Sequence, residues 1–174
     1  RCTSKLLRAM RVKPIAGIPP LSAGTRLGDW TANLIQIGRI KLVLAMNDRT
    51  RHLVVIEAAP YATIPERFLF ALHRSLITLG VPAELAADEI VRMQPVLIDS
   101  AKSRSVLSAI SQIAWRLELE VRAGMHSAVQ LTNHLSDNIT TIDGKLDFPT
   151  DHVRKEFGLG KLRRARDLPV VSLH

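Results

Sequence analysis

The chain has 174 residues, 47% of them hydrophobic, a net charge of +8 and one cysteine. That length suits a single domain with a buried core, and no apolar run reaches the roughly 18–20 residues that cross a bilayer. A lone Cys2 excludes an internal disulfide and a cysteine-built zinc cluster.

In chain order, residues 1–3 suit a short strand, and Ser4 is placed to cap a helix over 4–11, with Leu6, Leu7 and Met10 on its apolar side. Pro14, Gly17, Pro19, Pro20 and Gly24 mark residues 12–27 as a loop. Three apolar runs follow, at 30–37, 39–46 and 52–57, separated by Gly38 and by Asn47-Asp48-Arg49-Thr50. Short apolar runs split by turn residues predict an antiparallel meander. The second run alternates, Ile40, Leu42, Leu44 and Met46 against Arg39, Lys41, Val43 and Ala45, as a strand does. The third, Leu53-Val54-Val55-Ile56, is apolar on both faces, which calls for a central position or a cover of helices.

Beyond Pro60, Thr63-Ile64-Pro65-Glu66 has capping-box spacing and opens a helix that stops at Gly80. Ile64, Phe68, Leu72, Leu76 and Leu79 form its packing stripe. Pro82 starts the next helix, and Pro95-Val96-Leu97-Ile98 suits a fourth strand. Ser103 or Ser105 caps a helix over 105–122 with Val106, Ile110, Ile113 and Leu117 inward and Trp115 turned away. A helix at 127–138, a turn at Asp143-Gly144 and a short helix capped by Thr150 or Asp151 complete the body. The expected fold is therefore α+β: a meander of three or four strands against several helices, one domain over 1–160, and a basic tail over 161–174 that could add a strand at 168–172.

Arg1-Cys2-Thr3 with Lys5-Leu6-Leu7, Leu27-Gly28-Asp29-Trp30 with Ala32-Asn33-Leu34, and Ser103-Arg104-Ser105-Val106-Leu107 occur in that order. This set resembles an uncharacterised bacterial domain family of unknown function, over roughly residues 1–157. The resemblance implies an α+β fold and no reaction. The chain departs from the pattern at Thr31, where the family has His. It departs also at Ile40-Lys41-Leu42, where the family has a basic pair and Cys, and at Ser111-Gln112, where the family has an Asn-Asp pair.

For chemistry, the six histidines lack the close spacing of a helical zinc motif, and neither a Gly-x-Ser-x-Gly elbow nor a nucleotide-binding glycine loop occurs. No catalytic residue, metal or cofactor is assigned. The best polar constellation is Asp29, Trp30, Asn33, Lys41 and Arg104, with Trp30 as an aromatic platform and Arg104 at a helix start.

The positive charge is concentrated at the ends. Residues 1–13 carry Arg1, Lys5, Arg8, Arg11 and Lys13 with no acid, and residues 154–166 carry Arg154, Lys155, Lys161, Arg163, Arg164 and Arg166 against Glu156. Such segments suit a polyanion, so DNA or RNA contact through Lys5, Arg8, Arg11, Arg154, Lys155, Lys161, Arg163, Arg164 and Arg166 is the leading expectation. It fits a non-catalytic accessory domain of a mobile-element or defence locus. An antitoxin-like protein-interaction module or homodimer is one alternative, and an enzyme with a site near Trp30, Asn33, Lys41 and Arg104 is another. The polar N-terminal stretch argues against a secretory signal, so a bacterial cytoplasmic location is expected. The chain opens on Arg1 rather than Met, so residues ahead of it are expected.

Overall fold

The computed structural model describes residues 1–15, 24–162 and 164. Its elements are α1 (Ser4–Met10), β1 (Trp30–Ile37), β2 (Ile40–Asn47), β3 (Leu53–Glu57), a 3-10 turn (Tyr61–Thr63), α2 (Ile64–Thr78), α3 (Ala83–Arg92), α4 (Arg104–Arg122), α5 (Ala128–Ser136), β4 (Thr140–Ile142), β5 (Lys145–Asp147) and α6 (Pro149–Glu156). The fold is α+β.

The meander forms as its alternation requires. Strands β1, β2 and β3 pair antiparallel in that order, with Trp30 opposite Asn47 and Leu42 opposite Glu57. Gly38 takes a positive φ of 57° in the tight β1–β2 turn, a conformation open to glycine at no steric cost. Because successive side chains point to opposite faces, the sheet feeds two cores. Trp30, Leu34, Val43, Ala45, Val54 and Ile56 pack with α1, α2, α3 and α6. Leu42, Leu44, Met46, Leu53 and Val55 pack with α4 and α5. Helices thus cover both faces, which explains why β3 is apolar on both sides although it ends the sheet.

Each sheet edge is partly covered. On the β3 side, Thr132 Oγ1 accepts from the Val55 N–H at 2.8 Å and donates to Ala128 O at 2.8 Å. On the β1 side, Cys2 bridges in parallel to Ala32 and to Ser100. Covering part of an edge shortens the row of backbone groups that could template pairing with another chain.

Several expectations are corrected. Residues 95–98 form no strand; Ile98 O accepts from Ile15 N–H, and the next residue, Asp99, accepts through its O from Cys2 N–H. The additional strands are β4 and β5, a separate hairpin turning on Asp143 and Gly144, whose φ values of 50° and 79° suit a two-residue turn. Residues 1–3 contribute only the Cys2 bridges. Thr3, not Ser4, caps α1, because its hydroxyl accepts from Leu6 N–H. Ser103 caps α4. Helix α6 starts on Pro149 after Phe148, so neither Thr150 nor Asp151 caps it; both side chains turn to other partners. Thr63 makes no capping bond either, and accepts from Arg67 Nε instead. The suggested strand at 168–172 and residues 16–23 of the loop at 12–27 lie outside the described residues.

Candidate functional site: an apolar cavity beside Trp30

The sheet end at Trp30 is organised by Asn47, which is fully buried. Its side-chain amide donates to Leu27 O at 2.9 Å and Asp29 O at 3.1 Å. Its side-chain oxygen accepts from Thr50 N–H at 2.8 Å and Thr50 Oγ1 at 2.9 Å. One side chain therefore ties the stretch before β1 to the β2–β3 turn. Buried Glu89, on α3, adds a second tie by accepting from the N–H groups of Arg26 and Leu27 at 2.8 and 2.9 Å. Residues 26–29 consequently have their backbone donors and acceptors fixed from two sides, which sets the position of Asp29 and Trp30.

Arg1 joins the same end. Its guanidinium pairs with Asp29 at 2.8 Å and Asp48 at 3.0 Å, and Asp48 also accepts from Thr31 Oγ1 at 2.6 Å. These side chains are about one-fifth exposed, so they form a polar rim and not a buried charge cluster. Asp99 lies nearby; Lys102 at 2.8 Å and the N–H of Ser100 hold its carboxyl below the usual range.

Below this rim lies a cavity of about 100 Å³. Its walls are mainly Met10, Trp30, Val43, Phe68, Met93 and Val96, with Arg1, Asp29 and Asp99 on its polar side and the backbone of Gly28 beside them. Cys2 also lines it. Burial pushes the Cys2 thiol pKa up, which keeps it protonated and a poor nucleophile. Trp30 packs edge-on against Phe68, with ring centroids 5.2 Å apart.

The predicted constellation does not assemble. Asp29 and Trp30 are at the cavity. Asn33 faces the opposite side of β1 and receives a bond from Thr3 Oγ1 at 2.8 Å. Lys41 is exposed at the far end of β2, six residues from the Asn47 that faces Trp30, roughly 20 Å along the strand. Arg104 is exposed at the start of α4, on the other face of the sheet. An enzyme site built from Trp30, Asn33, Lys41 and Arg104 is therefore withdrawn. Sequence reasoning missed Arg1 and Asp99 as rim residues, and Met10, Phe68 and Met93 as walls. The available signal was that Arg1-Cys2 and Gly28-Asp29-Trp30, two stretches of the ordered pattern, would meet if residues 1–3 paired with β1.

The basic residues separate into two groups. Helix α1 contacts the Tyr61–Thr63 turn, and Met10 shares the cavity wall with Ile64, at the N-terminal end of α2. Arg154 of α6 donates to Leu79 O at the C-terminal end. Helix α2 has 15 residues, so roughly 22 Å lies between them. Lys5, Arg8 and Arg11 are exposed on and just after α1, and Lys155 and Lys161 are exposed near α6. Arg154 is engaged with Leu79 O and Gly160 O. Arg164 is engaged with Asp137 and Asp151. Arg163 and Arg166 lie outside the described residues. Among the described residues no group of His, Cys, Asp and Glu could hold a metal ion, and no helix is long and apolar enough to cross a membrane.

Comparison with known proteins places this geometry in a family without assigning it a role. Residues 1–151 match the family described as Domain of unknown function (DUF6933), and the chain belongs to that family. No curated protein and no solved structure matches the chain.

Proposed function

We propose that the chain is a binding domain whose cavity beside Trp30 receives a small apolar group, with Arg1, Asp29 and Asp99 reading the polar part of the same ligand. The observation that carries this reading is the cavity itself: about 100 Å³, lined mainly by apolar side chains, with Arg1 among its lining residues paired to Asp29 and close enough to act on Asp99. Binding sites share that design, an apolar body with a few converging polar groups. The cavity, about 100 Å³, is smaller than the apolar cavity of about 150 Å³ known to take benzene, so a single aromatic ring or a branched alkyl chain is the largest group that fits. Cys2 is the one thiol on the wall and is held protonated, while the Asp29 and Asp99 carboxylates are engaged with Arg1 and Lys102, which favours binding over covalent chemistry. Thermal unfolding in the presence of benzene, isobutanol and phenol tests the reading. A ligand bound only by the folded state raises Tm in proportion to its occupancy. An unchanged Tm at saturating concentrations of all three counts against it.

A second reading is favoured by one observation: Lys5, Arg8, Arg11 and Lys13 are all exposed on and just after α1, in a segment without acidic residues. This ridge suits a polyanion such as DNA or RNA. It rests on α1 alone, because, of the described basic residues near α6, Arg154, at the far end of α2, and Arg164 are engaged internally. Binding to short duplex DNA or single-stranded RNA that weakens steeply with salt, and that Lys5→Ala with Arg8→Ala removes, supports it. Absence of binding at low salt rejects it.

A further inference from the structure

Beyond the cavity, the most completely formed recognition geometry surrounds Arg164, whose side chain is 13% exposed. Its Nη1 donates to Asp151 Oδ2 at 2.9 Å, and its Nη2 donates to Asp137 Oδ1 and to Thr150 Oγ1, each at 2.8 Å. Nε faces Asp137 Oδ1 at 3.2 Å. The guanidinium carbon lies 3.7 Å from the centre of the Phe148 ring. Two carboxylates, one hydroxyl and one aromatic face thus read a single planar cation from its edge and its face together.

The local sequence explains why these groups converge. Phe148 precedes α6, Thr150 and Asp151 occupy its first turn, and Asp137 follows α5. A carboxylate in the first turn of a helix is favoured by the backbone dipoles there. Thr150 Oγ1 donates to Asp137 Oδ1 at 3.0 Å while accepting from Arg164, which locks the two walls together. The chain reaches the slot by reversing at Gly158, φ 72°, and running back along α6, where Leu162 N–H donates to Asp151 Oδ1 at 3.0 Å.

We propose that Asp137, Phe148, Thr150 and Asp151 form an arginine-recognition slot, occupied here in cis by Arg164, which takes an arginine side chain in trans when Arg164 is withdrawn. The slot selects arginine over lysine. Only a planar fork of donors satisfies two carboxylates at once while lying flat on an aromatic ring. Its demand for a cation is strong because the Asp151 side chain is 4% exposed, and a buried carboxylate that loses its partner is strongly destabilising. A vacated slot therefore gains by accepting another guanidinium. The ligand class is an arginine-bearing peptide, and the slot lies beyond the cavity and on different elements from it.

The test uses the full chain with Arg164→Ala, titrated calorimetrically with a peptide of the sequence of residues 161–166. The variant should bind at least about 10-fold more tightly than the unmodified chain, whose slot is filled. A peptide carrying lysine at the fourth position should bind at least about 10-fold more weakly, and Asp151→Asn added to Arg164→Ala should remove binding. Equal affinity for the variant and the unmodified chain, or for the arginine and lysine peptides, overturns the proposal. Arg164→Lys serves if Arg164→Ala does not fold. On the unmodified chain, the Arg164 Nε–H should exchange with solvent at least about 10-fold more slowly than that of exposed Arg74 or Arg104. Exchange at their rate overturns the slot independently of any variant.

Discussion

Trp30 and His52 meet edge to face in the core, ring centroids 6.3 Å apart at 78°, and each ring carries a buried nitrogen without a hydrogen-bond partner among the described residues. The atoms are Trp30 Nε1 and His52 Nδ1. His52 Nε2 is satisfied by Ser75 Oγ at 2.9 Å. Unpaired buried polar atoms cost about 1–3 kcal/mol each, so the pair is a weak point beside the cavity wall.

The first prediction concerns Trp30. Trp30→Phe keeps an aromatic ring against Phe68 and removes the orphaned N–H, so the lost packing and the relieved desolvation oppose each other. The net change in unfolding free energy by urea titration should stay within about 1 kcal/mol. Trp30→Ala removes the wall itself and should cost about 3–5 kcal/mol. A Trp30→Phe loss as large as the alanine loss contradicts this account of the N–H.

His52 makes stability depend on pH. Burial lowers its pKa to about 4, from 6.5. Between those values the unfolded chain binds the proton and the folded chain does not, so stability falls as pH drops from 6.5 to 4 and is fully retained above 6.5. The shift corresponds to roughly 3 kcal/mol. The depressed carboxyls of Asp99 and Asp147 start from a value of 3.8; their contribution, present above it, is lost only at lower pH. Denaturation midpoints measured from pH 4 to 7 should rise with pH, and His52→Leu should flatten the rise within that window. An unchanged slope in His52→Leu assigns the effect elsewhere.

Much of the fold was legible in the sequence, because it is written in local periodicity. The alternation of Ile40, Leu42, Leu44 and Met46 against Val43 and Ala45 predicted the two faces of β2, and the Ile64–Leu79 stripe predicted α2. The capping residue of α1 was misplaced by one position, Ser4 for Thr3, because both side chains carry a hydroxyl able to cap a helix. A bond from Thr3 to Asn33, 30 residues away, accompanies the choice. Residues 95–98 were misread because an apolar run that lines a cavity resembles one that joins a sheet. Strands β4 and β5 have three residues each, too few to show alternation. The candidate site was half legible: Asp29 and Trp30 lie in it, while Asn33, Lys41 and Arg104 were grouped by chemistry without knowledge of which face each would take. Arg1, Asp99 and the Arg164 slot depend on long-range contacts that no local pattern encodes.

Thr132 gives a test of the cover on the β3 edge. Thr132→Val preserves shape and leaves the Val55 N–H without its partner at 2.8 Å. The expected cost is about 1–3 kcal/mol, and hydrogen exchange at Val55 should accelerate. An unperturbed Val55 amide would mean that another group satisfies it.

The central claim, a ligand-accepting cavity beside Trp30, is tested most directly by the fluorescence of Trp30 itself. The other tryptophan, Trp115, is 64% exposed, and Trp115→Phe leaves Trp30 as the only reporter. Titration of that variant with benzene-sized ligands should give a saturable change in Trp30 emission. Ala45→Leu, which extends a side chain into the cavity that Ala45 lines, should abolish the change while leaving the far-ultraviolet circular dichroism intact. A saturable signal that persists in Ala45→Leu, or no signal from Trp30 at any concentration, contradicts the claim.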